Sequence, residues 1–273
     1  MKRVRRGFTL IEVSLFLVIT TAVFVGIAVG TQSSIFQQRY NDAVQIYVEF
    51  FRSVYSQVTN VQSENTGRSD KAIYGKLVTF NVDGDNNNVI NSYNVIGDVD
   101  AISCNDNSVL GRLACLGADV VIIDKDGVYQ PVGFVEDYKP RWASQIQTTD
   151  GWVDDVGYKP FTGALLIVRS PSTGAVNTYF TTELINVAGY IESRNNGFEV
   201  SNPLLGAIEG KKFSKQDVDF CVNPNGAEKS NLRRDVRIKD GARNASGVEA
   251  VTESQEWEGA PGEEKNIGNR CGS

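Results

Sequence analysis

Hydrophobic and polar positions divide this chain of 273 residues into three regimes. Phe8 to Gly30 is almost continuously apolar. After Gly30 the apolar positions recur every three or four residues, at Phe36, Tyr40, Ala43, Val44, Tyr47, Phe50, Phe51, Val54, Tyr55, Val58 and Val61. Gln37, Gln38, Asn41, Asp42, Gln45, Glu49, Arg52 and Gln57 fill the opposite side. That spacing predicts an amphipathic helix continuous with the apolar run. The stop signals come at Glu64-Asn65-Thr66-Gly67. The first proline is Pro131, so nothing breaks the helix earlier. From Phe8 to about Glu64 it would be about 85 Å long at ~1.5 Å per residue.

Beyond Gly67 the period shortens toward two. Lys76–Val82 alternates, Asp83-Gly84-Asp85-Asn86-Asn87 supplies a turn, and Val89–Ile96 returns. Ala164–Arg169 and Ala175–Phe180 flank Ser170-Pro171-Ser172-Thr173-Gly174 in the same way. Leu232–Ile238 pairs with Gly247–Val251 across Lys239-Asp240-Gly241-Ala242, and Val218–Val222 is a short strand before Asn223-Pro224-Asn225-Gly226. These are β-hairpin signals. Residues 97–163 read as short strands and loops forming an insertion on the outer face. Asn196–Ser214 reads as a polar linker, and residues 253–273 as a tail tied down at Cys271. One long helix followed by hairpins predicts an α+β fold, with the helix packed on an antiparallel β-sheet.

Charge changes the picture at the N-terminus. Lys2, Arg3, Arg5 and Arg6 precede a stretch of 23 residues that holds one ionisable side chain, Glu12. A helix of that length covers the ~30 Å hydrocarbon core of a bilayer. No small-x-small cleavage site of a secretory signal follows it. The cations predict a cytoplasmic N-terminus, with everything after Gly30 outside. An ionised carboxylate at bilayer depth costs several kcal/mol unless it has a partner, so Glu12 demands a reason.

Arg6-Gly7-Phe8-Thr9-Leu10-Ile11-Glu12 resembles the cleavage and methylation motif of type IV pilins and type II secretion pseudopilins. The resemblance implies that a membrane prepilin peptidase cuts after Gly7 and methylates the new N-terminal Phe8. It implies that Glu12 guides filament assembly by meeting the terminal amine of a neighbouring subunit. The partners implied are other pilin subunits or copies of this chain in a helical filament, an assembly platform protein and ATPase, and the inner or cytoplasmic membrane. Phe8 and Glu12 lie four residues apart on one helix face. A charge pair in a low-dielectric core is geometrically strict, because removing one partner strands the other. Gly26-x-x-x-Gly30 lets helices approach closely and marks a candidate soft point in the anchor.

Composition narrows the chemistry. The chain has 27 Lys and Arg against 33 Asp and Glu, net −6; without the four leader cations it is 23 against 33, net −10. Such a chain is poorly suited to unspecific contact with nucleic acid. There is no histidine, which removes the commonest general base and transition-metal ligand. No catalytic triad, P-loop or dinucleotide fingerprint is present. The chain reads as a structural subunit, neither an enzyme nor a cofactor carrier.

Smaller signals remain. Cys104, Cys115, Cys221 and Cys271 suit two disulfides in an exported chain, with three pairings open. Pairing Cys221 with Cys271 would resemble the C-terminal disulfide loop of many type IV pilins. Asp83, Asp85 and Asn87 have the spacing that starts a calcium loop, but Asn88 and Asn94 stand where such loops carry Gly and Glu. Strand alternation places Arg233, Asp235, Arg237 and Lys239 on one face, with Arg243 beyond. The last sheet resembles that of H-type minor pseudopilins and related minor pilins, some of which bind DNA. That makes Arg233, Arg237 and Arg243 candidate nucleic-acid contacts, against the plainer reading of a solvated strand face that pairs with neighbouring carboxylates. Asn244-Ala245-Ser246 fits a glycosylation sequon.

The expected organisation is a leader at 1–7, a transmembrane and assembly helix at 8–30, and an amphipathic continuation at 31–66. A β-rich pilin-like domain at 67–252 and the tail at 253–273 follow. The chain would be a single-pass membrane protein before assembly and part of an extracellular filament afterwards. The alternative is a minor pilin or secretion pseudopilin that binds DNA or a surface at the filament tip.

Overall fold

A computed structural model of the chain describes residues 9–60, 71–82, 88–98, 108–123, 129–131, 136–138, 144–147, 161–171, 173–196, 202–223 and 234–251. The fold is mixed helix and antiparallel sheet, α+β, with an apolar helix at the N-terminus. The chain divides into two units, Met1–Asp42 and Ala43–Ser273.

Helix α1, Leu10–Thr59, is 50 residues long and crosses that division. It runs unbroken through Gly26 and Gly30. Up to Ile35 its described side chains are exposed or nearly so, apolar ones included. From Ala43 onward the stripe read from the sequence is buried at Ala43, Val44, Tyr47, Phe51, Val54, Tyr55 and Val58 and half-buried at Phe50, and Val48, which the spacing left out, is buried as well. The spacing pointed to a helix end near Glu64. Thr59 is instead the last helical residue, and the Arg169 guanidinium takes up its carbonyl, Nη1 to O at 2.7 Å. A cation at a helix C-terminus satisfies an orphan carbonyl and complements the helix dipole.

The second unit holds two main sheets. Strands β1 (Lys71–Val82) and β2 (Asn88–Asp98) form the first hairpin, with Phe80 opposite Ile90. β3 (Val121–Ile123) and β4 (Tyr129–Pro131) make a small separate ladder. β5 (Glu136–Tyr138) adds to the outer side of β2. β7 (Gly163–Arg169) and β8 (Val176–Thr181) are the second hairpin, and β7 lies against β1. The five-stranded order is therefore β5-β2-β1-β7-β8, antiparallel throughout. β7 is buried on both faces, which explains its unbroken apolar run Ala164–Val168.

The second sheet has the order β11-β10-β9-β6, from β6 (Gln145–Gln147), β9 (Val218–Asn223), β10 (Arg234–Ile238) and β11 (Val248–Val251). β10 pairs with β11 as the third predicted hairpin, and with β9. Residues 97–163, expected to form an outer insertion, contribute edge strands to both sheets through β5 and β6.

Two cores flank the five-stranded sheet. On one face Leu77, Val95, Leu166 and Tyr179 are covered by three short helices, α2 (Val109–Cys115), α3 (Val187–Asn195) and α4 (Pro203–Ile208). They supply Leu113, Val187, Leu204 and Ile208. α4 falls where the sequence suggested a polar linker. Asn202 caps it by accepting from the Leu205 N–H at 2.9 Å, and Pro203 stands at its first turn. The second core is aromatic: Phe80, Phe161, Phe180 and Phe220 pack together, and Phe51 of α1 joins them.

Candidate functional site

The site the sequence singles out is the start of α1. Its first described residue, Thr9, caps the helix. The Thr9 N–H donates to Glu12 Oε2 at 2.8 Å, and the Thr9 hydroxyl donates to the same oxygen at 3.0 Å. The Glu12 N–H donates back to Thr9 Oγ1 at 3.3 Å. This is a capping box, in which the N-cap hydroxyl and the N3 carboxylate satisfy each other's orphan donors. Glu12 therefore has a local partner inside its own chain. Thr9 is the partner of Glu12 that the sequence reading passed over, although the Thr-x-x-Glu spacing announces it. Gly7 and Phe8 lie outside the described residues.

Leu10–Ala28 is long and apolar enough to cross a membrane, and none of it is buried within the chain. Its hydroxyls are satisfied along the helix. Ser14 Oγ donates to the Ile11 carbonyl, Thr20 Oγ1 to Phe16, and Thr21 Oγ1 to Leu17, at 2.7–2.9 Å. Such back-bonding lets Ser and Thr enter apolar surroundings without an unpaired donor. Neither Gly26 nor Gly30 has any atom within 4 Å of the position a Cβ would take, beyond its own helical turn. Comparison with protein-family models, with characterised proteins and with solved structures returned no match.

The other end of α1 is held by polar clasps. The Tyr47 hydroxyl donates to the Ser144 carbonyl at 3.2 Å. Arg52 grips the Val248 carbonyl through Nε and Nη2, at 3.1 and 2.9 Å. Tyr55 and Thr178 share a hydrogen bond of 2.7 Å. Thr178 gives its single proton to the Ala242 carbonyl at 3.3 Å, so Tyr55 is the donor to it. Burial pushes the Tyr55 hydroxyl up to about 12, and pushes that of Tyr47 further still.

The proposed basic strip is not a row of free cations. Arg237 binds Asp219 in a two-point fork, Nε to Oδ1 at 2.7 Å and Nη2 to Oδ2 at 3.3 Å. The Asp219 side chain is 3% exposed and that of Arg237 15%. The hydrogen bonds to Asp219 hold the guanidinium pKa above its ordinary value. Asp235, next on the same face, is buried. Lys239 pairs with Glu249 at 3.0 Å. Arg243 is exposed on the β10–β11 connection, and Arg233 lies outside the described residues. A strand that keeps its cation in a carboxylate fork has little to offer phosphate.

Cys115 ends α2 and Cys221 lies buried in β9; both are disulfide-bonded. Cys104 and Cys271 lie outside the described residues, as do Asp83, Asp85 and Asn87. Among the described residues no group of three or more Cys, Asp or Glu is placed to hold a metal ion.

Proposed function

We propose that this chain is a structural subunit of a type IV pilus-like filament. One observation carries the reading: the run Arg6–Glu12 leads directly into a capped, span-length apolar helix whose side chains find no cover within the chain. A soluble helix of that composition would be buried; this one is built to be covered by lipid or by other helices. In this reading the peptidase cuts after Gly7, and Phe8 becomes the N-methylated terminus. The anchor waits in the membrane with its leader side cytoplasmic, and the platform protein and ATPase draw it into the filament.

The long helix seated on an antiparallel sheet fits a pilin-like head. Burial of Tyr47, Phe51 and Tyr55, and their contacts with strands, support that arrangement. Gly26 and Gly30, with no atom within 4 Å of where a Cβ would stand beyond their own helical turn, suit close approach of neighbouring helices. The capping box gives Glu12 a partner while the subunit is alone in the membrane. Assembly then offers it the amine of the next subunit.

The test is electron microscopy of sheared surface filaments with mass spectrometry of their subunits. A filament made of this chain, beginning at N-methyl-Phe8, meets the expectation. Gly7→Ala should retain the leader, and Glu12→Ala should be processed but assemble poorly. Normal processing of Gly7→Ala defeats the peptidase assignment.

A further inference from the structure

The connection between β10 and β11 carries a triplet that the filament reading leaves unused. Asn244-Ala245-Ser246 has the form Asn-x-Ser, with a residue other than proline in the middle. It is the one such triplet among the 273 residues, so a test on the whole chain reads this position. β11 ends the four-stranded sheet, and among the described residues no further strand lies beyond it.

The connection is held at its base and displayed at its tip. The Lys239 N–H donates to the Gly247 carbonyl and the Ala242 N–H to the Lys239 carbonyl, both at 3.0 Å. The Gly247 N–H donates to the Asn244 carbonyl at 3.1 Å. Gly241 makes the turn at φ +67°, a conformation side chains rarely adopt. Ala242 and Val248 are buried, while Arg243, Asn244 and Ser246 are exposed.

On this frame the Asn244 side chain has one end engaged and the other open. Its Oδ1 accepts from the Ser246 N–H at 3.0 Å and from the Ser246 hydroxyl at 2.6 Å. Among the described residues its Nδ2 donates to no acceptor. An Asn that merely caps a turn needs only the backbone donor. Here the hydroxyl brings a second donor to the same oxygen. An amide nitrogen is a poor nucleophile, because its lone pair is shared with the carbonyl. It attacks as a proton leaves, and the negative charge then rests largely on Oδ1. Two donors already aimed at Oδ1 stabilise that charge as it develops.

We propose that Asn244 is a glycosylation site, with Nδ2 the acceptor of an oligosaccharide from a lipid-linked donor. The inference rests on the reading above that places the residues after Gly30 outside the membrane, where such donors are used. Nδ2 attacks the anomeric carbon of a sugar carried on a polyprenyl diphosphate. The N–C bond forms, the C–O bond to the diphosphate breaks, and the lipid diphosphate leaves with the bonding pair. The Nδ2 proton passes to a base of the membrane transferase. Exposure of both Asn244 and Ser246 lets that transferase reach the folded chain.

The experiment is mass spectrometry of the full chain purified from its own cells, wild type beside N244D, S246A and S246T. The wild-type chain should exceed the mass of its processed sequence by one or more sugar residues, and fragmentation should place them on Asn244. N244D keeps an oxygen to cap the turn but has no Nδ2, and S246A removes the hydroxyl. Each should lose the whole increment, while S246T keeps the hydroxyl and retains it. Protease resistance of each variant checks that lost sugar is not lost fold. A membrane-impermeant amine reagent applied to whole cells reports which side the lysines of the head are on. An unmodified Asn244 on a labelled head overturns the site, as does an increment that survives N244D. A head that the reagent never labels defeats the topology reading, and the site falls with it.

Discussion

Phe51 of α1 and Phe220 of β9 lie face to face, ring centroids 5.1 Å apart and planes 8° from parallel. Both rings are essentially buried. They join the helix to the four-stranded sheet, while Phe80 and Phe161 link the same cluster to the five-stranded one. Truncating a buried Phe removes transfer energy and leaves a cavity, together worth about 3–5 kcal/mol. Phe51→Ala should therefore unfold the head at much lower denaturant, read by urea titration of a chain starting at Gln37. A change below 1 kcal/mol contradicts this packing.

The buried tyrosines make the head sensitive to alkali. Tyr55 titrates near 10 in an unfolded chain and at about 12 in the fold. Below pH 10 it is neutral in both states and its contribution is intact. As pH rises from about 10 to 12 the unfolded chain ionises while the fold holds its proton, so stability falls across that window. Tyr47 acts in the same direction. Tyr55→Phe should lose about 1 kcal/mol at neutral pH, from the hydrogen bond to Thr178. It should also flatten part of the alkaline decline, seen by melting temperature against pH.

Arg237 and Arg243 should separate cleanly. Arg237→Ala leaves the buried Asp219 carboxylate without its fork and should cost about 3 kcal/mol or more. Arg243→Ala removes an exposed cation and should leave the melting temperature within a degree. Any loss of DNA retention in Arg237→Ala should track unfolding. Loss in a fully folded Arg237→Ala protein would return the strand to the list of nucleic-acid contacts.

Gly75 sits at the irregular register between β1 and β2. A Cβ there meets the Ile167 carbonyl oxygen and comes within 3.1 Å of the Val168 Cα, both backbone atoms of β7. Gly75→Ala must push strands apart and should cost about 1–3 kcal/mol. Thermal unfolding of the head measures it.

Much of this was legible in the sequence where periodicity is strong. The helical stripe from Ala43 to Val58 is the buried face of α1, and all three predicted hairpins pair as read, to within a few residues. The short helices were missed for a physical reason. α2, α3 and α4 span seven, nine and six residues, too few for a periodic pattern, and are held by caps and by contacts distant in sequence. Ser108, Asn186 and Asn202 each accept from a backbone N–H three residues on, and those caps are the local signal that was available. Alternation placed Arg237 on a face but could not choose between a nucleic-acid contact and a strand face paired with neighbouring carboxylates. Asp219, on the neighbouring strand, decides the fate of Arg237. Glu12 stood out as the lone acid in an apolar run, while Thr9, its partner in the capping box, was hidden in plain spacing.

The clasps on α1 also determine how the head answers a pull. Tyr47, Arg52 and Tyr55 attach successive turns of the helix to a loop before β6, to β11 and to β8. Tension along this part of the helix is therefore shared among these attachments and the Phe51–Phe220 contact. A head joined this way should yield as a whole at high load rather than creep open strand by strand.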